Sequence, residues 1–375
     1  METETEQVSL ENDQPPGCSR EWNDWRWQLR NSIKDIEDLK KEFSLNAAEA
    51  EYLPAVITNY PFRITPYYLS LIDRQNPRDP VRLQCVPSKC EEGLYLELQD
   101  DPLGEEKDTA MPGLVHRYPD RVLLTLTNMC QVYCRHCTRK REWHEGFWVR
   151  TPEELENIYR YIKIHKEIRD VILSGGDPLI LSTQKLEEIL ERLRKIGHVE
   201  IIRIGTRCPV VLPQRIDDEL VSMLKKYRPI WINTHFNHSN EITKESQAAC
   251  DRILCAGIPV NNQTVLLKNI NDDAEIMTRL CHGLVRIGVR PYYLFQCDPV
   301  SGTGHFRTSI DKGLEIIKAM RGFTSGLCVP NYVVDGLEGQ GKVPLQPEYV
   351  LSRNKDRFVL RGYKGDVFNY YNPED

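Results

Sequence analysis

Six short β-rich runs, at 122–127, 170–173, 200–204, 230–234, 260–266 and 291–296, set the pattern of this chain. After a first gap they recur about every thirty residues, with helical segments between them. Alternation at that interval requires parallel strands joined by crossover helices, because a tight turn cannot join a parallel pair. One crossover opens with Thr151-Pro152-Glu153-Glu154, which supplies an N-cap, a proline at the first helical position and a glutamate to close a capping box. Another carries an apolar stripe at Leu186, Ile189, Leu190, Leu193 and Ile196 and is predicted to stop at Gly197. Six such units suit an open, partial (β/α)6 barrel. A flat, doubly wound sheet has the same rhythm, so periodicity alone leaves both open.

The flanks differ from this middle. Residues 1–20 are polar and hold Pro15-Pro16-Gly17, which predicts a disordered tail. Over 22–53 the pattern turns helical, with Trp25, Trp27, Leu29, Ile33, Ile36 and Leu39 recurring mostly every three or four residues. A polar stretch at 74–113, with Pro77, Pro80, Pro87 and an acidic run at 100–108, predicts a long connection or lid. The expected division is a tail at 1–20, a helical extension and connection at 21–115, the barrel at 116–328 and a short C-terminal segment at 329–375.

Composition removes several function classes. At 40% hydrophobic and 28% charged residues the chain can bury a core. Its 49 basic against 55 acidic residues leave a net charge of −6, which argues against a general nucleic-acid binder. No apolar run is long enough to span a bilayer, and the acidic N-terminus lacks the pattern of a secretion signal. A reducing, cytoplasmic setting is expected, so the 12 cysteines do not read as disulfides. Nine are scattered (Cys18, Cys85, Cys90, Cys208, Cys250, Cys255, Cys281, Cys297 and Cys328) and are expected to be buried thiols acting as small hydrophobes.

In either fold, function gathers beyond the carboxyl ends of the strands. Those positions hold Cys130-Gln-Val-Tyr-Cys134-Arg-His-Cys137, then Ser174-Gly175-Gly176-Asp177, Arg207, His235 with Asn237, and Cys297-Asp298. Cys130, Cys134 and Cys137 have the spacing C-x3-C-x2-C. Three thiolates suit a zinc site short of one ligand or an iron–sulfur cluster with one iron left open. His136, between two of them, is expected to pack or to support the ligands from behind rather than to ligate iron itself. Glycines at 175 and 176 would let backbone approach a ligand.

C-x3-C-x2-C with an aromatic residue, Tyr133, before the second cysteine resembles the signature of the radical S-adenosylmethionine (SAM) enzymes. Longer segments narrow the likeness: CQVYCRHCTRKR at 130–141, HRYPDRVLL at 116–124, LSGGDPL at 173–179, NTHFNH at 233–238, RPYYLFQCD at 290–298 and HFRTSIDKG at 305–313 resemble the lysine 2,3-aminomutases, in the family's order. The likeness begins near Asp24 and runs almost to the end. It implies a radical-SAM partial barrel and an isomerase with a 4Fe–4S cluster on Cys130, Cys134 and Cys137. SAM would be held by Ser174, Gly175, Gly176, Asp177, Arg207, His235 and Gln263. Pyridoxal 5'-phosphate (PLP) would sit on Lys342 as a Schiff base, with Arg117, Tyr118 and Arg121 near its phosphate. Arg139 would pair with the substrate α-carboxylate, and Asp298 and Asp335 would take the ε-ammonium of lysine. Two cofactors make chemical sense, since the β C–H bond of an amino acid is far too weakly acidic for a side-chain base and calls for a radical.

The resemblance has departures. Clostridial-type members carry further cysteines near the C-terminus that bind zinc. This chain lacks them and has Asp273 at about the place of an upstream ligand, so no structural zinc is expected. Leu337, Glu338 and Gln340 interrupt the glycine run before Lys342, and Glu338 would have to point away from a phosphate. The expected partners are a small amino acid and an electron donor such as flavodoxin or ferredoxin, with neither nucleic acid nor membrane, in a homo-oligomer. Alternatives are a 2,3-aminomutase acting on arginine or ornithine, and an iron–sulfur redox protein without mutase activity.

Overall fold

The computed structural model describes residues 20–93, 95 and 97–373, so the expected tail and Cys18 lie outside the described residues, Arg20 apart. One ten-stranded sheet runs in chain order: β1 (Thr109–Met111), β2 (Leu114–Tyr118), β3 (Arg121–Thr125), β4 (Asp170–Ser174), β5 (Ile201–Gly205), β6 (Ile230–Thr234), β7 (Val260–Leu266), β8 (Arg290–Gln296), β9 (Asn331–Gly336) and β10 (Gly341–Pro344). Strands β3 to β9 are parallel, and antiparallel pairs finish both ends. The six predicted strands are β3 to β8, and β9 extends the parallel run by one. Strict chain order with crossover helices is the partial-barrel arrangement; a doubly wound sheet would reverse order at a switch point.

Local sequence explains the crossovers. The helix Pro152–Ile164 has the full capping box of Thr151 and Glu154, and it buries Leu155, Ile158, Tyr159 and Ile162. The helix Thr183–Arg194 buries Leu186, Ile189, Leu190 and Leu193, and its C-cap is Lys195. These faces share one continuous core with alternate strand residues such as Val171, Leu173, Ile202 and Ile204.

Expectation and structure part in the N-terminal region. The helical run at 22–53 is three helices, Trp25–Arg30, Ile36–Glu42 and Ala47–Asn59, because Asp24, Asp35 and Asn46 each cap a new start. Between the first two, Ile33 pairs with Ile64 in an isolated bridge. The supposed connection at 74–113 is partly regular: Asp79 caps Pro80–Cys85, and a 3-10 turn covers Lys89–Glu92. Beyond β10 the C-terminal residues build a separate antiparallel sheet from β11 (Val350–Arg353), β12 (Arg357–Arg361) and β13 (Val367–Tyr371). Of the scattered cysteines, Cys85, Cys208, Cys250, Cys281, Cys297 and Cys328 are buried as expected, whereas Cys90 and Cys255 are exposed. No helix among the described residues is long and apolar enough to cross a membrane.

The two ends of the sheet meet. Lys342 on β10 donates its backbone N–H to the Tyr118 hydroxyl on β2 at 3.1 Å. The segment at 101–109 reinforces the junction: Glu338 N–H donates to the Pro102 carbonyl at 2.9 Å, and Lys107 Nζ to the Glu338 carbonyl at 2.8 Å.

Candidate active site

The loop that leaves β3 carries the three cysteines, all half-buried. Its stem is packed against the end of β4. A Cβ on Gly175 would lie 2.3 Å from the Thr127 carbonyl oxygen, and one on Gly176 would lie 2.2 Å from that of Met129. Gly175 also has φ +117°, a backbone setting that L side chains rarely adopt. The close approach these glycines permit is therefore to the backbone beneath the cysteines. Asp177 finishes the join: its buried carboxylate accepts from Thr206 Oγ1 at 2.7 Å, Arg207 N at 2.8 Å and Leu179 N at 2.9 Å.

Arg207, after β5, reaches the cysteine loop. Its Nη1 donates to Cys134 Sγ at 2.8 Å, and its Nη2 to Tyr68 Oη at 2.9 Å and Glu241 Oε1 at 2.6 Å. His235, after β6, is held near pKa 4 by burial and by the Arg207 cation, which keeps it neutral, and it bonds the Gln263 backbone. His136 is neutral for similar reasons; its Nε2 meets Asn237 Nδ2 at 3.3 Å and its ring packs edge-on against Phe306.

Of the remaining predicted residues, Lys342, Asp335 and Asp298 form a second group. Lys342 Nζ lies 2.7 and 3.0 Å from the two oxygens of Asp335 and 4.8 Å from the centre of the Phe295 ring. Burial and then the Asp335 charge push the Asp298 carboxyl up to about 7, against the pull of Lys342 and Arg307. Arg139 gives Nε and Nη2 to Glu105 at 3.0 and 2.6 Å, while Nη1 stands 3.5 Å from Ser174 Oγ. Arg117 is taken by Asp108 at 2.6 Å and by the Leu103 carbonyl at 2.6 Å. Arg121 pairs with the half-buried Asp120 and lies 3.9 Å over the Tyr118 ring. Glu338 is exposed, as a phosphate nearby would require. Asp273 caps the helix Ala274–Arg286 through Glu275 N and Ile276 N.

Sequence reasoning missed Glu105, Tyr68 and Glu241, as well as Gln84, whose side-chain oxygen accepts from Arg207 Nη2, and Glu91, which accepts from Arg135 Nε at 3.0 Å. For Glu105 a signal existed in the acidic run at 100–108, whose natural partner is the basic Arg139-Lys140-Arg141. The others come from distant positions that only the fold brings in.

Residues 124–281 match the radical SAM superfamily, and residues 317–375 match the family described as lysine-2,3-aminomutase. The L-lysine 2,3-aminomutase of Acetoanaerobium sticklandii is 52% identical over 354 residues, covering 94% of this chain and 86% of that one. This chain belongs to the lysine 2,3-aminomutase family. Clostridium subterminale L-lysine 2,3-aminomutase is 51% identical, with 94% and 85% covered. Glutamate 2,3-aminomutase of Clostridioides difficile is 45% identical, with 94% and 83% covered. The family's members are isomerases of the radical SAM type, which work with a 4Fe–4S cluster and SAM.

The residues present fit that cluster. Thiolates are the donors iron–sulfur clusters take; Cys137 N–H donates to the Cys134 carbonyl at 2.9 Å, and the Cys130 thiol is pushed up by burial and then by the charges of Asp177, Cys137 and Cys134. Among the described residues no three His, Cys, Asp or Glu side chains converge on a single-ion site. A cluster needs one thiolate at each of several irons, not convergence on one atom. The hydrogen bond from Arg207 to Cys134 supplies a cation beside the thiolates, as a ligand sulfur requires of its surroundings.

Proposed function

We propose that the chain interconverts L-lysine and L-β-lysine by a 1,2-amino shift, with PLP on Lys342. The observation that carries this reading is the placement of Asp298 and Asp335 around the one amine that would hold the cofactor. Two carboxylates in a poorly solvated setting favour a second ammonium and repel a side-chain carboxylate. That weighs for a basic substrate and against glutamate.

When bound, SAM and the cluster supply a carbon radical able to remove an unactivated hydrogen, and PLP supplies a carbonyl for the migrating nitrogen. The chain's own residues bind and orient. Arg139 takes the α-carboxylate by its free edge. Asp298 and Asp335 hold the ε-ammonium and so fix which carbon faces the radical source. Ser174, Gly175, Gly176, His235 and Gln263 would hold SAM, with Asp177 and Arg207 shaping its seat from behind. Arg121, whose ion pair is more open to solvent than that of Arg117, is better placed for the phosphate ester, with Tyr118 beside it.

The test is an anaerobic assay of reconstituted protein with SAM, PLP and a reductant. Lysine, arginine, ornithine and glutamate are offered separately, and α- and β-amino products are separated by chromatography and mass spectrometry. β-Lysine as the main product, lost in Cys134→Ala and Lys342→Ala, is expected. A β-product from another amino acid would overturn the assignment of the aspartates, and no β-product from a fully loaded protein would overturn the mutase reading.

A further inference from the structure

Glu105 lies in the strap at 101–109, whose other residues grip Arg117 through Asp108 and the turn before β10 through Pro102 and Lys107. Its side chain is only 13% exposed and accepts from three donors: Arg139 Nε at 3.0 Å, Arg139 Nη2 at 2.6 Å and Arg141 Nη2 at 3.0 Å. Burial pushes this carboxyl up, but the two arginines outweigh it and hold it at about 2. Glu105 is therefore ionised throughout the working pH range.

A guanidinium offers a carboxylate two edges, one through Nε and Nη2 and one through Nη1 and Nη2. Glu105 fills the first edge. Glu142, 3.8 Å from Nε, stands on that side as well. Among the described residues the second edge is not filled: Nη1 makes only long contacts there, 3.5 Å to Ser174 Oγ and 3.4 Å to the Gly175 carbonyl. It is directed at the end of β4, next to the loop where the Arg139 backbone N–H meets Cys137 Sγ at 3.3 Å.

We propose that Glu105 is a positioning residue for substrate recognition: it holds Arg139 by one edge and so presents the other to the substrate α-carboxylate. The proposal rests on the reading of Arg139 as the carboxylate-binding residue. The physical reasoning is that a free arginine side chain has several rotatable bonds to immobilise on binding. Glu105 fixes them beforehand. Glu105 divides one negative charge between Arg139 and Arg141, and Glu142, Asp101 and Glu106 stand 3.6–3.8 Å from the same two guanidiniums, so what is offered to a second carboxylate is the geometry of the open edge rather than spare charge. Through the same strap, the grip on the substrate is tied to Arg117 and to the turn that carries Lys342.

Fully loaded protein, left unreduced so that no turnover occurs, is titrated with L-lysine and with 1,5-diaminopentane, which is lysine without its carboxylate. Wild type, Glu105→Gln and Arg139→Ala are compared. Glu105→Gln is expected to weaken lysine about ten-fold while leaving the diamine within about two-fold, the loss of one charge-assisted fork. Arg139→Ala is expected to shift the same ratio at least as far. If Arg139→Ala leaves the ratio unchanged, the reading of Arg139 fails and the proposal with it. If Arg139→Ala shifts the ratio and Glu105→Gln does not, the proposal alone fails. Tighter lysine binding by Glu105→Gln would mark Glu105 as a competitor for the arginine, and equal loss of both ligands would mark it as merely structural; either result overturns the proposal.

Discussion

Lys342 and Asp335 stand opposite one another across the β9–β10 ladder, and the amine of one bonds both carboxylate oxygens of the other, at 2.7 and 3.0 Å. The tight connection between the strands makes this possible, with Glu338 and Gly339 both at positive φ. In this state the pair is neutral. On the reading proposed above, Lys342 would hold PLP through this nitrogen, which would then no longer be a free ammonium donating to both oxygens of Asp335. The ammonium of a basic substrate then restores the balance. One carboxylate thus serves the empty lysine and the substrate in turn, which links cofactor loading to preference for a basic amino acid.

A pH dependence follows from Asp298. Its carboxyl is raised to about 7, first by burial and then by Asp335, while Lys342 pulls the other way. Only the ionised form attracts an ammonium. Lysine affinity should therefore rise with pH and level off above a midpoint at about 7. Replacing Asp335 by Asn removes a like charge, so the midpoint should move to lower pH even as affinity falls. Binding titrations of unreduced, loaded protein between about pH 5.5 and 8.5 would check this, each unit below the midpoint costing up to about ten-fold. A flat profile would remove Asp298 from the ammonium site.

Lys342→Ala tests the same group by a chemical readout. The variant should no longer retain PLP after borohydride reduction, read as the absence of the added mass on the intact protein. It also leaves Asp298 and Asp335 facing one another without the Lys342 cation, so the Asp298 carboxyl should rise further. PLP still fixed in the variant, on some other lysine, would count against the assignment.

Much of this site is written in local sequence, and the reason is geometric. Strand ends in a parallel sheet are marked by a short apolar run followed by polar or glycine residues, so the cysteine loop, Ser174–Asp177 segment, Arg207, His235 and Asp298 could be placed from one-dimensional pattern. The Thr151 cap was equally local. What escaped depends on chain segments far apart. Nothing near Glu91 announces that it meets Arg135, 44 residues on, nor could the meeting of Tyr118 with Lys342, 224 residues apart, be read from either neighbourhood. Helix breaks at Asp35 and Asn46 were missed for a different reason: apolar spacing carried across both caps and masked them.

The glycines at the end of β4 should resist substitution. A Cβ at Gly176 would sit 2.2 Å from the Met129 oxygen and 2.6 Å from the Asn128 carbonyl carbon, and both are backbone atoms that cannot rotate away. Gly176→Ala must therefore push the stem of the cysteine loop off β4. Overpacking of this kind costs about 1–3 kcal/mol, to be measured by urea unfolding of the apoprotein. Iron content after reconstitution should fall as well, because Cys130 is the next residue along that stem. Unchanged stability and iron content would show that the loop has slack the geometry does not suggest.

A buried ionic cluster fastens the other end of the cysteine loop to the N-terminal region. Arg135, between two of the cysteines, donates Nε and Nη2 to Glu91 and also reaches the carbonyls of Tyr60 and Pro61, each at 2.9 Å. Lys140 Nζ meets the same carboxylate at 2.7 Å and the Gly302 carbonyl at 2.9 Å. The side chains of all three are 1% exposed. Burial pushes the Glu91 carboxyl up, yet the two cations outweigh it and leave it below the ordinary range. Burial, helped by the Arg135 charge, also brings Lys140 down to about 8, against the pull of Glu91 and, more weakly, Cys137. Glu91→Gln removes the sole negative member of this group while both cations stay enclosed. Breaking a buried pair from one side costs about 3–5 kcal/mol, and part of that should be relieved by Lys140 giving up its proton. Two measurements check this: the urea midpoint should drop, and the drop should be smaller at about pH 9 than at about pH 6, since the neutral amine no longer repels Arg135. A loss of stability that does not change with pH would mean that the amine keeps its proton and that Gly302 and the surrounding rings, rather than Glu91, hold it in place.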